Sequence, residues 1–543
     1  MYFLSADNKD KGELYFVNGT DIPYMELNDY VTNLKALNGD KPKFDIKIKA
    51  NGDKVTLTRE TKYSCVIDFA EDTMYFVDYN AFLKRDEATN LVDDITLPER
   101  DENGKRTYLK RVPVGTSERY GSKINLDLAS YGIDLVRKGD KYYVPLQTVS
   151  DVLMGMMSPL FLYNGKAMFV VIPDLDGFVG SDFKKTPLGK IFYNGKTKGS
   201  ISKELAEFNY NELCLGLDVN YGLKANHNIK SFDDLMDDTG LKKMMLSGDS
   251  EKIDTAMYIL STRYLDDGHT KYGVPGYSGD YKFREKMIKN YGEGAARDSI
   301  FALTQAHKDA RAKFYPDGVP GYEEISDTAF ITFDAFEQFE QDVDYYKTAP
   351  TADSKDTIGL VSYSVQQILR KNSPIKNVVL DLSCNGGGAT NTAAYTIAAF
   401  LGKARLSIED RYTGAVVTSE YHVDTNLDHK FDSKDYLAGK GLNLYCLESG
   451  TSFSCGNLVP CMFKQSSLVT LLGETSGGGA GSIMWLGSAA GGMIRISSAT
   501  TANFLKNGSL YDVDRGADPD IYLSKLESYY DREKLVEFID SLL

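Results

Sequence analysis

Hydrophobic and polar positions change rhythm along the chain. Up to about residue 175 the apolar residues come in short, alternating runs broken by glycine turns, which predicts a region of small strands. Two pieces of it look alike: Pro23-Tyr-Met-Glu-Leu-Asn-Asp-Tyr30 and Pro145-Leu-Gln-Thr-Val-Ser-Asp-Val152. Each follows a glycine turn, at Gly19 and Gly139, and together they read as a weak internal repeat. Residues 176–200 are rich in Gly, Lys and turn formers and read as a linker. From 201 to 265 the spacing becomes helical: apolar residues recur three and four apart in 203–208 and 231–236, and Ser231 has Asp234 three places on, a helix-starting arrangement. The rest, 266–543, alternates buried strands with amphipathic helices. Ala329–Phe333 and Asn377–Leu382 predict strands, and Thr357–Leu369 and Thr392–Leu401 predict helices, the latter stopped by Gly402. Strand, glycine loop, helix is the mark of a crossover unit in a mostly parallel sheet.

Composition narrows the function classes. At 543 residues the chain is long enough for two or three domains. A net charge of −15 and an isoelectric point near 5.0 exclude a basic groove for nucleic acid. No apolar run reaches the ~20 residues of a membrane helix. The opening MYFLSADNKDKGELYF has neither the charged nor the apolar part of a signal peptide. The six cysteines (Cys65, Cys214, Cys384, Cys446, Cys455 and Cys461) make no CxxC pair and fit no zinc spacing, so no metal or cofactor is expected.

Five segments carry candidate chemistry. Gly386-Gly387-Gly388 follows a buried strand and opens a helix; such a loop binds phosphate, forms an oxyanion hole or simply makes a tight turn. A P-loop is excluded, because no Gly-Lys-Ser/Thr follows. Gly450-Thr-Ser-Phe-Ser-Cys-Gly-Asn457 joins a strand-like run to a helical one. A serine there is either a helix cap or a nucleophile favoured by the helix N-terminus. Leu265-Asp-Asp-Gly-His-Thr270 places one of only five histidines in a compact turn directly after an apolar helix. Gly473-Glu-Thr-Ser-Gly-Gly-Gly-Ala-Gly481 is a second glycine loop. Tyr511–Ile521 holds Asp512, Asp514, Asp518 and Asp520, with spacing that misses a calcium loop.

In this order the five segments resemble the tail-specific (C-terminal processing) protease family of serine peptidases, which includes tricorn protease. The family's Asp-Leu-Arg-x-Asn-x-Gly-Gly strand end is similar to Asp381-Leu-Ser-Cys-Asn-Gly-Gly-Gly388. Its nucleophile turn is similar to Thr451–Asn457, its Gly-x-x-Thr-x-Gly loop to Gly473–Gly477, which is one residue shorter, and its Gly-x-x-Pro-Asp segment to Gly516–Asp520. The family's dyad lysine is missing from Thr475–Gly479, whereas Asp267-Gly268-His269 resembles the histidine of the tricorn-like branch. Tricorn's serine before that histidine is Gly268 here, and no PDZ-like Gly-Leu-Gly-Phe loop lies between His269 and Asp381.

The resemblance implies an α/β fold with a crotonase-like (ClpP-like) core of repeated ββα and βαβ units at 266–543. The helical 201–265 segment would pack on it. The repeat at 23–30 and 145–152 separately resembles small copper-amine-oxidase-N-like modules, which implies a β-rich α+β region at 1–175 of two such lobes. The protease resemblance implies an extracellular or cell-surface serine endopeptidase acting on extended peptide or protein segments without a cofactor or metal. Ser454 would be the nucleophile, His269 its base and Asp514 the acidic partner. Gly387 and Cys455 would donate the oxyanion-hole amides. The alternatives are a peptide- or lipid-binding protein on the same scaffold and a serine esterase. The sequence leaves the oligomeric state open.

Overall fold

The computed structural model describes residues 2–3, 12–17, 19–38, 45–59, 63–83, 108–155, 159–172, 183–193, 199–338 and 343–542. Of the expected linker, 176–182 and 194–198 lie outside the described residues.

A parallel-rich sheet positions the site. Its strands are β1 (Tyr322–Ile325), β2 (Thr328–Thr332), β3 (Asn377–Asp381), β4 (Asn443–Glu448), β5 (Val469–Gly473) and β6 (Ile521–Tyr522), laid side by side in chain order. β1 and β2 form an antiparallel hairpin, and every later neighbour is parallel. β2 and β3 are buried throughout, as expected of strands covered on both faces. Residues of β2 and β3 alternate between two cores. Ala329, Ile331, Val378 and Leu380 face one, while Phe330 and Val379 face the other. The first core is closed by α3 (Thr357–Ile368), α4 (Thr390–Leu401) and α5 (Cys455–Ser466), and the second by α6 (Glu527–Tyr530) and α7 (Arg532–Asp540). Ala310 of α2 (Ala295–Ala312) also joins the second core. The register aligns Thr332 with Asp381, Asp381 with Leu447, and Glu448 with Gly473. The loops after β3, β4 and β5 therefore leave the sheet from the same end, where ligands bind in open α/β sheets.

A second, antiparallel sheet brings distant segments together. Residues 404–410, 415–423, 481–487 and 493–503 are joined by 271–274 and by 109–119 from the N-terminal third. Upstream, strands at 46–51, 54–59, 63–68, 73–76 and 124–127 make a five-stranded antiparallel sheet. The two similar pieces meet directly: Tyr24 pairs with Pro145 and Met25 with Val144 in an antiparallel ladder. Pro23 opens its strand whereas Pro145 closes one, so the two copies sit out of phase with their strand–helix junctions. Met25, Val144 and Phe161 share one apolar core with α1 (Lys203–Asn220) and with Trp485, Leu486 and Ile494. No helix among the described residues is long and apolar enough to cross a membrane.

Candidate functional site

The loops after β3 and β4 are stitched by hydroxyls. Ser449 Oγ and Thr451 Oγ1 each donate to the carbonyl of Ser383 at 2.7 Å, and Ser452 Oγ donates to that of Leu382 at 2.8 Å. The Phe453 amide donates to the carbonyl of Asn385 at 3.0 Å. The run of small hydroxylated residues after β4 is thus consumed in fixing one loop on the other. The turn ends at Ser454, whose φ of 57° and ψ of −121° are unusual for any residue but glycine. Such strain is stored where surrounding structure over-determines it, often at a reactive centre. Helix α5 starts at the next residue, and Ser454 caps it through its carbonyl alone, accepting from the amides of Asn457 and Leu458 at 3.0 and 2.9 Å. Its hydroxyl makes no capping bond, which sets aside the helix-cap alternative. Gly387, at φ 102°, is required beside it: a Cβ there would stand 2.6 Å from Ser454 Cβ.

His269 sits on a turn built by Asp267. One carboxylate oxygen of Asp267 accepts from the amides of His269 (2.9 Å) and Thr270 (2.8 Å) and from Ser497 Oγ (2.8 Å). The other accepts from Thr270 Oγ1 (2.6 Å) and Tyr221 OH (3.0 Å). Two arginines hold the turn's carbonyls: Arg297 donates to Gly268 O and Arg495 to His269 O, both at 2.8 Å. The imidazole is buried, with its ring 4.7 Å from the ring of Phe453 in an edge-on contact, and its Nδ1 has no hydrogen-bond partner among the described residues. Burial lowers its pKa to about 4, with Arg495 and Arg297 adding to the effect and Asp267 opposing it. At neutral pH the ring is uncharged and able to accept a proton.

Phe453 fills the space between the two segments. A Cβ on Gly268 would overlap its ring, and one on Gly479 would stand 2.7 Å from it. The absence of a side chain at Gly268 thus makes room for an aromatic ring.

Ser454, His269 and Cys455 all line one cleft of about 870 Å³, walled by Ile300 and Phe301 of α2 and by Leu458 and Ile483. No hydrogen bond joins Ser454 to His269. Gly387 directs its amide away from the cleft, donating to Asn385 Oδ1 at 2.9 Å. Gly388 is the next cleft-lining glycine, and its amide has no acceptor among the described residues. Cys455 sits at the first position of α5 with its thiol against the Gly388 carbonyl at 3.2 Å. Asp514 makes no hydrogen bond to His269. Its Oδ1 instead accepts from the amides of Gly479 and Ala480 at 3.0 and 2.7 Å, while Arg411 stands 3.9 Å from Oδ2. Asp267 bonds the backbone amide of His269, two residues on, and acts on the ring through its charge alone. Phe453 and Arg297 were not singled out from sequence. Phe453 stood inside a quoted motif, but nothing local tells its ring contact, and Arg297 belongs to an ordinary amphipathic helix.

The arrangement offers a strained hydroxyl at a helix N-terminus, a neutral imidazole in the same cleft, and a glycine loop beside both. Those are parts for nucleophilic attack on a carbonyl.

Residues 328–523 match the family described as Peptidase family S41. No curated protein matches the chain. Among solved structures, the photosystem II D1 C-terminal processing protease is similar over 36% of this chain and 42% of its own, at 16% identity and a TM-score of 0.27. The chain thus spans less than half the length of that protein. A putative peptidase from Parabacteroides merdae is similar over 61% of this chain and 96% of its own, at 15% identity and a TM-score of 0.41. Tricorn protease is similar over 92% and 59%, at 11% identity and a TM-score of 0.33.

Proposed function

Over residues 328–523 the chain belongs to peptidase family S41, a family of serine-type peptidases, and from that premise we propose that it hydrolyses peptide bonds by acyl transfer to Ser454. The observation that carries the reading is the backbone of Ser454: a strained strand-to-helix turn that presents to the cleft, at the start of α5, a hydroxyl with no hydrogen bond among the described residues. His269 takes the hydroxyl proton as Oγ attacks the carbonyl carbon, and later returns it to the leaving amine. It lies outside the matched segment and is chosen because it is the histidine that lines the cleft and is neutral at physiological pH. This step requires Ser454 Oγ and the His269 ring to come within hydrogen-bond distance of each other in the complex with substrate. Cys455 at the head of α5 and a glycine of the 386–388 loop supply amides to the oxyanion. Gly388 suits that role better than Gly387, whose amide is already bonded to Asn385.

The substrate is read as an extended peptide. An open cleft walled by Ile300, Phe301, Leu458 and Ile483 suits apolar side chains, and the 481–487 strand edge beside it suits main-chain pairing. The parallel ladder β2–β5, with helices following β3 and β4, supports a crotonase-like reading of the core.

A fluorophosphonate probe tests the assignment. The wild-type protein should be labelled at Ser454 and cleave unstructured protein substrates. Ser454→Ala should lose both while keeping its melting temperature. Failure of the folded wild-type protein to label would favour a binding protein; labelling with turnover of simple esters alone would favour an esterase.

A further inference from the structure

Beneath the cleft lies a buried polar chain that the reaction does not touch. It begins on α2, whose Arg297, Phe301, Thr304 and Lys308 line the cleft while His307 points the other way into the interior. His307 Nδ1 is 2.8 Å from Tyr530 OH at the end of α6. Tyr530 OH is 3.1 Å from Ser383 Oγ, and Ser383 Oγ donates to Asp381 Oδ1 at 2.6 Å. Arg532 donates to the other oxygen of Asp381 at 3.1 Å. His307, Ser383, Tyr530, Asp381 and Arg532 are all almost fully buried.

The direction of the chain follows from counting protons. Asp381 as a carboxylate can only accept, so the one hydroxyl hydrogen of Ser383 goes to it. Where Tyr530 gives its hydrogen to Ser383 rather than to Cys384 Sγ, 3.3 Å away, it accepts from His307 Nδ1. Burial lowers the pKa of His307 and favours the neutral ring, with its hydrogen on Nδ1. That leaves Nε2 as a lone pair, and Nε2 is the His307 nitrogen that is buried without a partner. Ser383 links this chain to the nucleophile: its carbonyl takes both the Ser449 and the Thr451 hydroxyls of the turn that ends at Ser454.

We propose that His307, Tyr530 and Ser383 are positioning residues that lock the nucleophile turn to the α2 wall of the cleft. The chain sets the register between Ser454 Oγ and a substrate lying along α2. Loss of the lock leaves substrate able to bind α2 but displaces the hydroxyl from its line of attack, and misplacement by about 1 Å costs up to ~100-fold in rate. This inference rests on the hydrolase reading for its kinetic consequence but not for its structural one.

The experiment compares Tyr530→Phe, His307→Leu and His307→Asn with the wild type. Two quantities are read: kcat per fluorophosphonate-labelled site, and hydrogen exchange of amides 449–454. Tyr530→Phe and His307→Leu should lower kcat by ~10- to 100-fold with KM within about threefold, and should speed exchange in the turn. His307→Asn retains a donor near the Nδ1 position and should recover most of the loss. Unchanged kcat and exchange in folded Tyr530→Phe, or equal losses for His307→Asn and His307→Leu, would overturn the proposal. Exchange reads the lock whether or not the protein cleaves peptides, so failure of the hydrolase reading and failure of this coupling are separate results.

Discussion

Single residues set the geometry at Ser454. Gly268 lacks a side chain because the ring of Phe453 occupies that space. Gly268→Ala should force the ring and the adjoining turn to move, costing ~1–3 kcal/mol of stability, as overpacking does. Peptidase kcat/KM should fall by ~10- to 100-fold. Gly268→Ala combined with Phe453→Leu should regain much of both losses, as measured by chemical unfolding and turnover. His269 predicts a pH response of known sign. Its folded pKa of about 4 lies below the ordinary 6.5, so the unfolded chain binds a proton that the folded one refuses. Stability from this group is present above pH 6.5 and is lost as pH falls toward 4, while the acid limb of kcat/KM falls near 4. Both were foreshadowed only in part: the sequence picked out Ser454 and His269 by their turns, but the ring between them could not be read locally.

At the scale of elements, the loops matter more than the strands. Asp514 was expected to orient His269, yet its carboxylate ties down the Gly479 and Ala480 amides. The Gly478 carbonyl next to them accepts from the Ser454 amide at 2.8 Å. Acting as a loop anchor, Asp514 should be replaceable by Asn, whose Oδ1 can accept the same two bonds. Asp514→Asn should keep turnover within about threefold, whereas Asp514→Ala should lose ~1–3 kcal/mol and most activity. Equal loss in both variants would point to its charge and to the histidine. The elements themselves were legible. Predicted segments at 357–369 and 377–382 became α3 and β3 with ends shifted by a residue, because strand burial and helical spacing are written in neighbouring positions. The partner of a carboxylate is not.

The whole molecule is a balance of buried charge. Glu448, at the end of β4, has both carboxyl oxygens buried without a partner, and burial raises its pKa from 4.5 to about 9. Asp151 and Asp254 are raised by burial to about 8 and about 7. At neutral pH Glu448 and Asp151 are protonated in the fold and Asp254 about half so, whereas all three are ionised in the unfolded chain. Their contribution is fully present below about pH 4 and is lost as pH rises through the folded values. Melting temperature should therefore fall between pH 6 and pH 9, and Glu448→Gln, which holds the site neutral, should flatten that decline. The N-terminal third is part of the same balance, because Val144, Phe161, Leu486 and Ile494 share a core. A chain starting at residue 201 should expose that apolar surface and elute as aggregate in size-exclusion chromatography.

By itself the sequence determined the alternation of strands and helices, the glycine turns, and the choice of Ser454 and His269 as candidates, both of which line one cleft. Each is set by short-range rules of spacing, backbone freedom and side-chain reactivity. Only the tertiary structure decided that Asp514 holds the Gly479 and Ala480 amides, that Ser497 and Arg495 come to the Asp267–His269 turn, and that His307 meets the hydroxyl of Tyr530. Those facts depend on which distant segments the sheet register brings to one end of β3, β4 and β5, and no local pattern encodes a contact between residues that only folding makes neighbours.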